Sequence, residues 1–264
     1  MNSENLQPTE HQDATLENLP EQEQAPVTEQ APEPEQEQAP EPVTEQAPEP
    51  EQEQAPEPVT EQAPEPEQVQ PAQPKETTVL EKILAITKEE LDSMDLSAYR
   101  NRPNTPVQWF FGNAGEEHYR LLIKISTLFN GQTLYDIGTY EGSSALALAH
   151  NETNFVLSHD LVYNNIAQSL KKPNMNLLLG DVLNIDGGRG LLNSPFIMLD
   201  TSHDGSYEHR FYHFLKHNGY KGLLFLDDIF LNEPMRMFWD SITEPKYDLT
   251  SIGHFSGNGI VDFS

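Results

Sequence analysis

The chain has 264 residues, no cysteine and a formal charge of −28, and all 15 of its Lys and Arg lie at or after Lys75. Without cysteine there are no disulfides, thiolate metal sites or cysteine nucleophiles. The acidity, −19 over residues 1–74 and −9 over the rest, repels phosphate backbones and anionic lipid, so neither nucleic acid nor a membrane surface is an expected partner.

The N-terminus, Met1-Asn2-Ser3-Glu4-Asn5, carries no basic or apolar signal region, and no apolar run approaches the ~20 residues that span a bilayer. A cytoplasmic protein is expected. Residues 1–76 read as a disordered acidic tail. EQAPEPEQEQAPEPVT runs from Glu29 to Thr44, recurs over 45–60 and restarts at Glu61. Four Pro in each period forbid a continuous helix, and the only apolar side chains are Ala and Val, which give a core nothing to bury. An extended polyanion follows, either a spacer or docking arm for a basic partner or a repeat expansion with no specific role.

From residue 77 onward the sequence predicts one folded domain with a helical extension at its start. Val79, Leu80, Ile83, Leu84, Ile86 and Leu91 form a helical stripe over Thr77–Met94, with Thr77 or Thr78 as N-cap. A Pro-containing loop at 102–106, the aromatics Trp109-Phe110-Phe111 and a turn at Gly112–Gly115 precede a helix from Glu116 to about Phe129. Short apolar strands then alternate with helices. Strands are expected at 133–137, 155–158, 176–179, 196–199 and 223–226, with helices at 143–150, 164–170, 207–217 and 234–242. Tyr247–Ile252 and Gly259–Phe263 read as a closing strand pair around Gly257-Asn258-Gly259. The pattern predicts an α/β fold, a mostly parallel sheet with helices on both faces and a terminal antiparallel pair.

Four motifs carry chemistry. Asp136-Ile137-Gly138-Thr139-Tyr140-Glu141-Gly142-Ser143-Ser144 lies between a strand and a helix, where glycine lets the backbone turn and approach a ligand. Its Gly-x-x-x-Gly spacing matches neither the dinucleotide fingerprint nor a phosphate-binding P-loop. Asp160 ends the next strand, 24 residues after Asp136, where a carboxylate can hold ribose hydroxyls or simply cap a helix. Gly180-Asp181 ends the third strand, where the carboxylate can receive the exocyclic amine of adenine or close a turn. Asp200 ends the fourth strand and Asp227-Asp228 the fifth. Three carboxylates opening onto one crevice raise each other's pKa unless a cation joins them, and oxygen ligands suit Mg²⁺ or Mn²⁺. His203, three residues after Asp200, stands where a base or ligand is useful. His209, His213 and His217 share a helix face that reads as solvated.

In this order the elements resemble class I S-adenosylmethionine-dependent methyltransferases, most closely the metal-dependent O-methyltransferase branch that includes catechol O-methyltransferase and the cephalosporin-hydroxylase-like group. That branch's acidic-x-Gly-x-x-x-Gly-x-Ser turn is matched by Asp136, Gly138, Gly142 and Ser144. Its later acidic residues correspond to Asp160 and Asp181, and its metal ligands to Asp200, Asp227 and Asp228. Asp200-Thr201-Ser202-His203 with Tyr207-Glu208 is similar to the Asp-x-x-His…Tyr-Glu pattern of the cephalosporin-hydroxylase-like group. The resemblance implies a Rossmann-like methyltransferase fold, S-adenosylmethionine as cofactor, Mg²⁺ (or Mn²⁺), and O-methylation of a small acceptor such as a sugar. Asp228 stands where the catechol enzyme has Asn, and that enzyme's Lys has no counterpart after Asp200, so His203 is the candidate base. Two other readings remain: a non-catalytic methyltransferase-fold module tethered through the tail, and a nicotinamide-dependent oxidoreductase, which the glycine spacing disfavours.

Overall fold

The computed structural model describes residues 76–101, 107–112, 114–162, 164–185 and 188–264. The tail expected over residues 1–76 lies, but for Glu76, outside the described residues, as does the loop expected at 102–106.

The expected first helix is two helices. Thr78 caps α1 (Val79–Leu84) and Thr87 caps α2 (Lys88–Asp92), each in a reciprocal capping box with the Glu three residues on. The stripe continues through both, but the second Thr-x-x-Glu signal restarts the helix at Thr87. Short helices α3 (Ser97–Arg100) and α4 (Val107–Phe110) follow. The next helix, α5 (Gly115–Ser126), buries His118, Leu121, Leu122, Ile123, Ile125 and Ser126. It ends before Phe129 because Thr127, Leu128 and Phe129 donate to carbonyls three residues back, a tightened last turn.

The remainder alternates as expected, with one short helix (α8) that was not expected: β1 (Thr133–Ile137), α6 (Ser143–Leu148), β2 (Phe155–Asp160), α7 (Asn165–Ser169), β3 (Met175–Leu179), α8 (Arg189–Leu192), β4 (Phe196–Leu199), α9 (Ser206–His217), β5 (Leu223–Leu226), α10 (Glu233–Ser241), β6 (Lys246–Asp248) and β7 (Gly259–Asp262). The strands form one sheet in the order β3-β2-β1-β4-β5-β7-β6. The pairings among β1 to β5 are parallel, while β7 runs antiparallel to both β5 and β6. The Rossmann-like α/β fold therefore stands. The closing pair differs in one respect: the strand expected over Tyr247–Ile252 stops at Asp248, which pairs with Gly259, so residues 249–258 form a ten-residue loop.

Successive strand side chains face opposite ways, so each central strand feeds two cores. Phe196 and Met198 of β4 with Phe225 of β5 join Leu121, Leu122 and Leu146 on one face. Ile197, Leu199, Leu224 and Leu226 join Phe211, Leu215 and Phe238 on the other. Burial on both faces accounts for the unbroken apolar runs of β4 and β5. The sheet is wound outward from β1 in one direction and from β4 in the other, and a crevice opens at such a switch point beyond the carboxyl ends of the strands. Among the described residues no helix is long and apolar enough to cross a membrane.

Candidate active site

A cavity of about 410 Å³ occupies that crevice. Its walls come from the ends of β1 (Ile137, Gly138, Tyr140), β2 (Asp160, Leu161, Val162), β3 (Gly180, Val182) and β4 (Asp200 to His203), with Tyr207 from α9. Of the candidate site residues, Gly138, Asp160, Asp200 and His203 line it, whereas Asp136, Gly142, Ser144, Asp181, Asp227 and Asp228 do not.

The turn after β1 is glycine-dependent for reasons within the fold itself. Gly138 has φ +102°, and a Cβ there would stand 1.5 Å from the carbonyl oxygen of Asp200. Gly142 has φ +88°, and its Cβ would meet Leu170 at 2.6 Å. Both positions reject a side chain before any ligand arrives. Tyr140, between them, is held at φ +43°. Its amide donates to Asp160 Oδ2 at 2.8 Å, and the amide of Val162 donates to Oδ1 at 2.9 Å. Asp160 thus ties two turns together and still faces the cavity. Its capping and ligand-facing readings are compatible.

Asp136 lies behind this turn. It is fully buried and accepts from the Ser158 hydroxyl at 2.5 Å, which in turn accepts from Thr139 at 2.6 Å. Burial pushes its carboxyl up to about 7, opposed by the serine hydroxyls of Ser158 and Ser144. Ser144 is buried in the first turn of α6. Asp181 is engaged elsewhere: its carboxylate accepts from Arg210 at 2.6 Å, Tyr207 at 3.0 Å and Asn184 at 3.1 Å. Its neighbours Gly180 and Val182 line the cavity in its place.

At the far wall the strand ends of β4 and β5 place Asp200 and Asp228 on either side of His203, but among the described residues Asp200, Asp227 and Asp228 do not draw within 4.8 Å of one another as a group. His203 Nε2 lies 2.9 Å from Asp200 Oδ1 and 3.5 Å from Asp228 Oδ2. Burial opposes the imidazolium, but the close approach of Asp200 and the charges of Asp200, Asp228 and Asp227 outweigh it and hold His203 up at about 9. Burial and the neighbouring Asp227 push Asp200 up. Asp227 goes the other way: burial would raise it, but the facing His118 and His254 imidazoles hold it down. The loop bearing His203 is fixed from below. Glu208, buried, accepts from Thr201 Oγ1 at 2.6 Å and from the His203 amide at 3.1 Å. Asn232, the N-cap of α10, donates to the His203 carbonyl at 2.8 Å.

Sequence reasoning missed the groups behind Asp227. His118 of α5 and His254 of the 249–258 loop are both buried, and their ring nitrogens lie within 4.8 Å of each other and of an Asp227 oxygen. His254 Nε2 is 2.6 Å from Asp227 Oδ1, and Asn258 Nδ2 reaches the same oxygen at 2.6 Å. No spacing ties position 118 or 254 to 227. His209, His213 and His217 give no such grouping among the described residues.

No protein-family description and no curated protein matches the chain. Several solved structures are similar to it. One is a candidate SAM-dependent methyltransferase from Streptococcus mutans, at 16% identity and TM-score 0.41, covering 54% of this chain; the chain spans 47% of that protein. Another is a candidate caffeoyl-CoA O-methyltransferase from Staphylococcus aureus, at 14% identity and TM-score 0.46, covering 66% of this chain and 98% of that one. A third is an SAH-bound methyltransferase from Podospora anserina, at 14% identity and TM-score 0.44, covering 68% and 97%.

Proposed function

We propose that the folded region, residues 77–264, is an S-adenosylmethionine-dependent methyltransferase that acts on an oxygen of a small hydroxylated acceptor such as a sugar, with a divalent ion assisting. One observation carries the reading. A single cavity is lined at one end by the glycine turn, Asp160 and the apolar Leu161, Val162 and Val182, and at the other by Asp200 and His203. Its volume falls within the roughly 300–1,000 Å³ of small-molecule sites.

The chemistry of the donors suits the ion, although the three carboxylates would have to draw closer together to share it. Asp200 and Asp228 both approach one ring nitrogen, His203 Nε2, and carboxylate oxygens are the ligands that Mg²⁺ or Mn²⁺ prefers. Asp200, Asp227 and Asp228 would hold it. There it would lower the pKa of the acceptor hydroxyl and orient it.

S-adenosylmethionine supplies a methyl group on a positively charged sulfur. The acceptor oxygen forms the new C–O bond as the C–S bond breaks and its electron pair stays on sulfur. Asp160 would hold the ribose hydroxyls with the lone pairs its two backbone donors leave free. Leu161 and Val182 would flank the adenine, and Asp181, largely committed to Arg210 and Tyr207, would take a lesser part at the exocyclic amine. Gly138 and Gly142 shape the turn against which the cofactor lies, with Asp136 and Ser144 beneath it. His203 would receive the acceptor's proton once its own has gone, so turnover should quicken as pH rises through the pKa of His203. Alignment for in-line displacement supplies most of the rate.

The test is formation of S-adenosylhomocysteine from S-adenosylmethionine against a panel of sugars, polyols and phenols, with Mg²⁺ or with chelator. Turnover with a hydroxylated acceptor that falls at least ~100-fold in Asp200→Ala supports the assignment. Turnover indifferent to both chelator and Asp200→Ala would remove the metal from the reading.

A further inference from the structure

The proposed reaction makes no use of one group of buried polar side chains, namely His254, Asn258 and Ser256 of the 249–258 loop, with His118 of α5 beside them. All converge behind Asp227. The proton on His254 can be placed from its neighbours. Ser256 Oγ lies 2.8 Å from His254 Nδ1, and His254 Nε2 lies 2.6 Å from Asp227 Oδ1. A bare Nε2 lone pair facing a carboxylate at that distance would be repulsive, so Nε2 carries a proton and donates it to Asp227. This holds for the neutral ring, with Ser256 donating to Nδ1, and for the imidazolium alike.

Asn258 supplies a second donor to the same oxygen, Nδ2 to Oδ1 at 2.6 Å, and lies 3.1 Å from His118 Nδ1. By residue type alone, the two imidazoles and Asp227 would make a nitrogen-rich cation site of their own. Yet Asn258 Nδ2 stands 2.6 to 3.1 Å from all three of the converging atoms, and an amide takes the centre. The group is a hydrogen-bonded clamp. It saturates Oδ1 of Asp227 and leaves Oδ2 as the oxygen free to meet another partner.

We propose that His254, together with Asn258, is a positioning residue that grips Asp227 by one carboxylate oxygen and so presents the other to the divalent ion held with Asp200 and Asp228. The inference rests on the metal-assisted reading above. Groups that hydrogen-bond a metal ligand fix its orientation, and removing one typically weakens metal binding about 10- to 100-fold.

The experiment is Mn²⁺ titration of the full chain, in parallel with S-adenosylmethionine titration, for the wild type, His254→Ala, His254→Gln, Ser256→Ala and Asp200→Ala. His254→Ala is expected to weaken Mn²⁺ about 10- to 100-fold with S-adenosylmethionine affinity unchanged. His254→Gln, which keeps an N–H of similar reach, should recover most of the loss. Should the alanine variant not fold, Ser256→Ala carries the test, because it leaves the imidazole in place and removes only its orienting partner. It is expected to weaken Mn²⁺ by up to about 10-fold, the low end of such effects. Unchanged Mn²⁺ affinity in whichever variant folds would overturn the clamp. So would a His254→Gln variant as weak as His254→Ala that has also lost S-adenosylmethionine, since that describes a merely structural residue. A wild type that binds no Mn²⁺, or binds it as well after Asp200→Ala, would instead overturn the metal-assisted reading, and the clamp with it.

Discussion

The two walls of the cavity are built on opposite principles. On the β1–β2 side, backbone does the holding: Gly138 gives way to the Asp200 carbonyl, and Asp160 is pinned by the amides of Tyr140 and Val162. On the β4–β5 side, charges hold charges: Asp200 and Asp228 share His203, and Asp227 is gripped by His254 and Asn258. The first wall is set by backbone geometry. The second is set by protonation and by any ion that enters. Such a division suits a reaction in which one partner is always the same molecule and the other must be activated in place.

Substitutions should separate the walls. The largest effect is expected on the backbone side. Gly138→Ala would force a Cβ to within 1.5 Å of a carbonyl oxygen at positive φ. Urea unfolding should show a loss of about 3 kcal/mol or more. Gly131→Ala, also at positive φ but with nothing within 4 Å of its Cβ, should lose only about 1 kcal/mol. Equal losses would mean that strain alone, and not the approach of β4, fixes the turn.

An intermediate effect is expected on the charged side, and it depends on pH. His203 in the fold titrates near 9, above its ordinary 6.5. Its ion pair therefore contributes fully below the unfolded pKa and is lost as pH rises through the folded one. In chelator, the unfolding temperature of the wild type should fall between roughly pH 7 and 10. His203→Gln should flatten that limb, and a fall of equal size in both proteins would place the titration elsewhere. The smallest effect is expected at Asp181. Because Arg210 and Tyr207 already occupy its carboxylate, Asp181→Ala should change S-adenosylmethionine affinity only a few-fold, on the order of 1 kcal/mol. A loss of 100-fold would make it a principal adenine contact.

The backbone wall is also the one that could be read in the sequence. Alternating apolar runs and helix-length segments dictate strand and helix order, and glycines at 138 and 142 with an acidic residue at 160 mark a turn that any such sheet must make. The boundaries that moved did so for local reasons. Thr87 restarts a helix whose apolar stripe runs on unbroken, and the strand expected over Tyr247–Ile252 stops at Asp248 because His254, Ser256 and Asn258 are drawn inward to Asp227. The charged wall was only half legible. Asp200, Asp227 and Asp228 announce themselves at strand ends, whereas His118 lies over a hundred positions from the carboxylate it faces. The commitment of Asp181 was hidden for the same reason, since its partner Arg210 comes from a helix 29 residues away.

The most direct test of the central claim is calorimetric titration of S-adenosylmethionine into the full chain, with and without Mg²⁺, beside Asp160→Ala. Micromolar binding by the wild type, weakened at least ~100-fold in the variant, about the loss of two hydrogen bonds to a charged group, is the predicted result. No binding in either metal condition would contradict the account and leave a Rossmann-like fold whose cavity serves some other ligand.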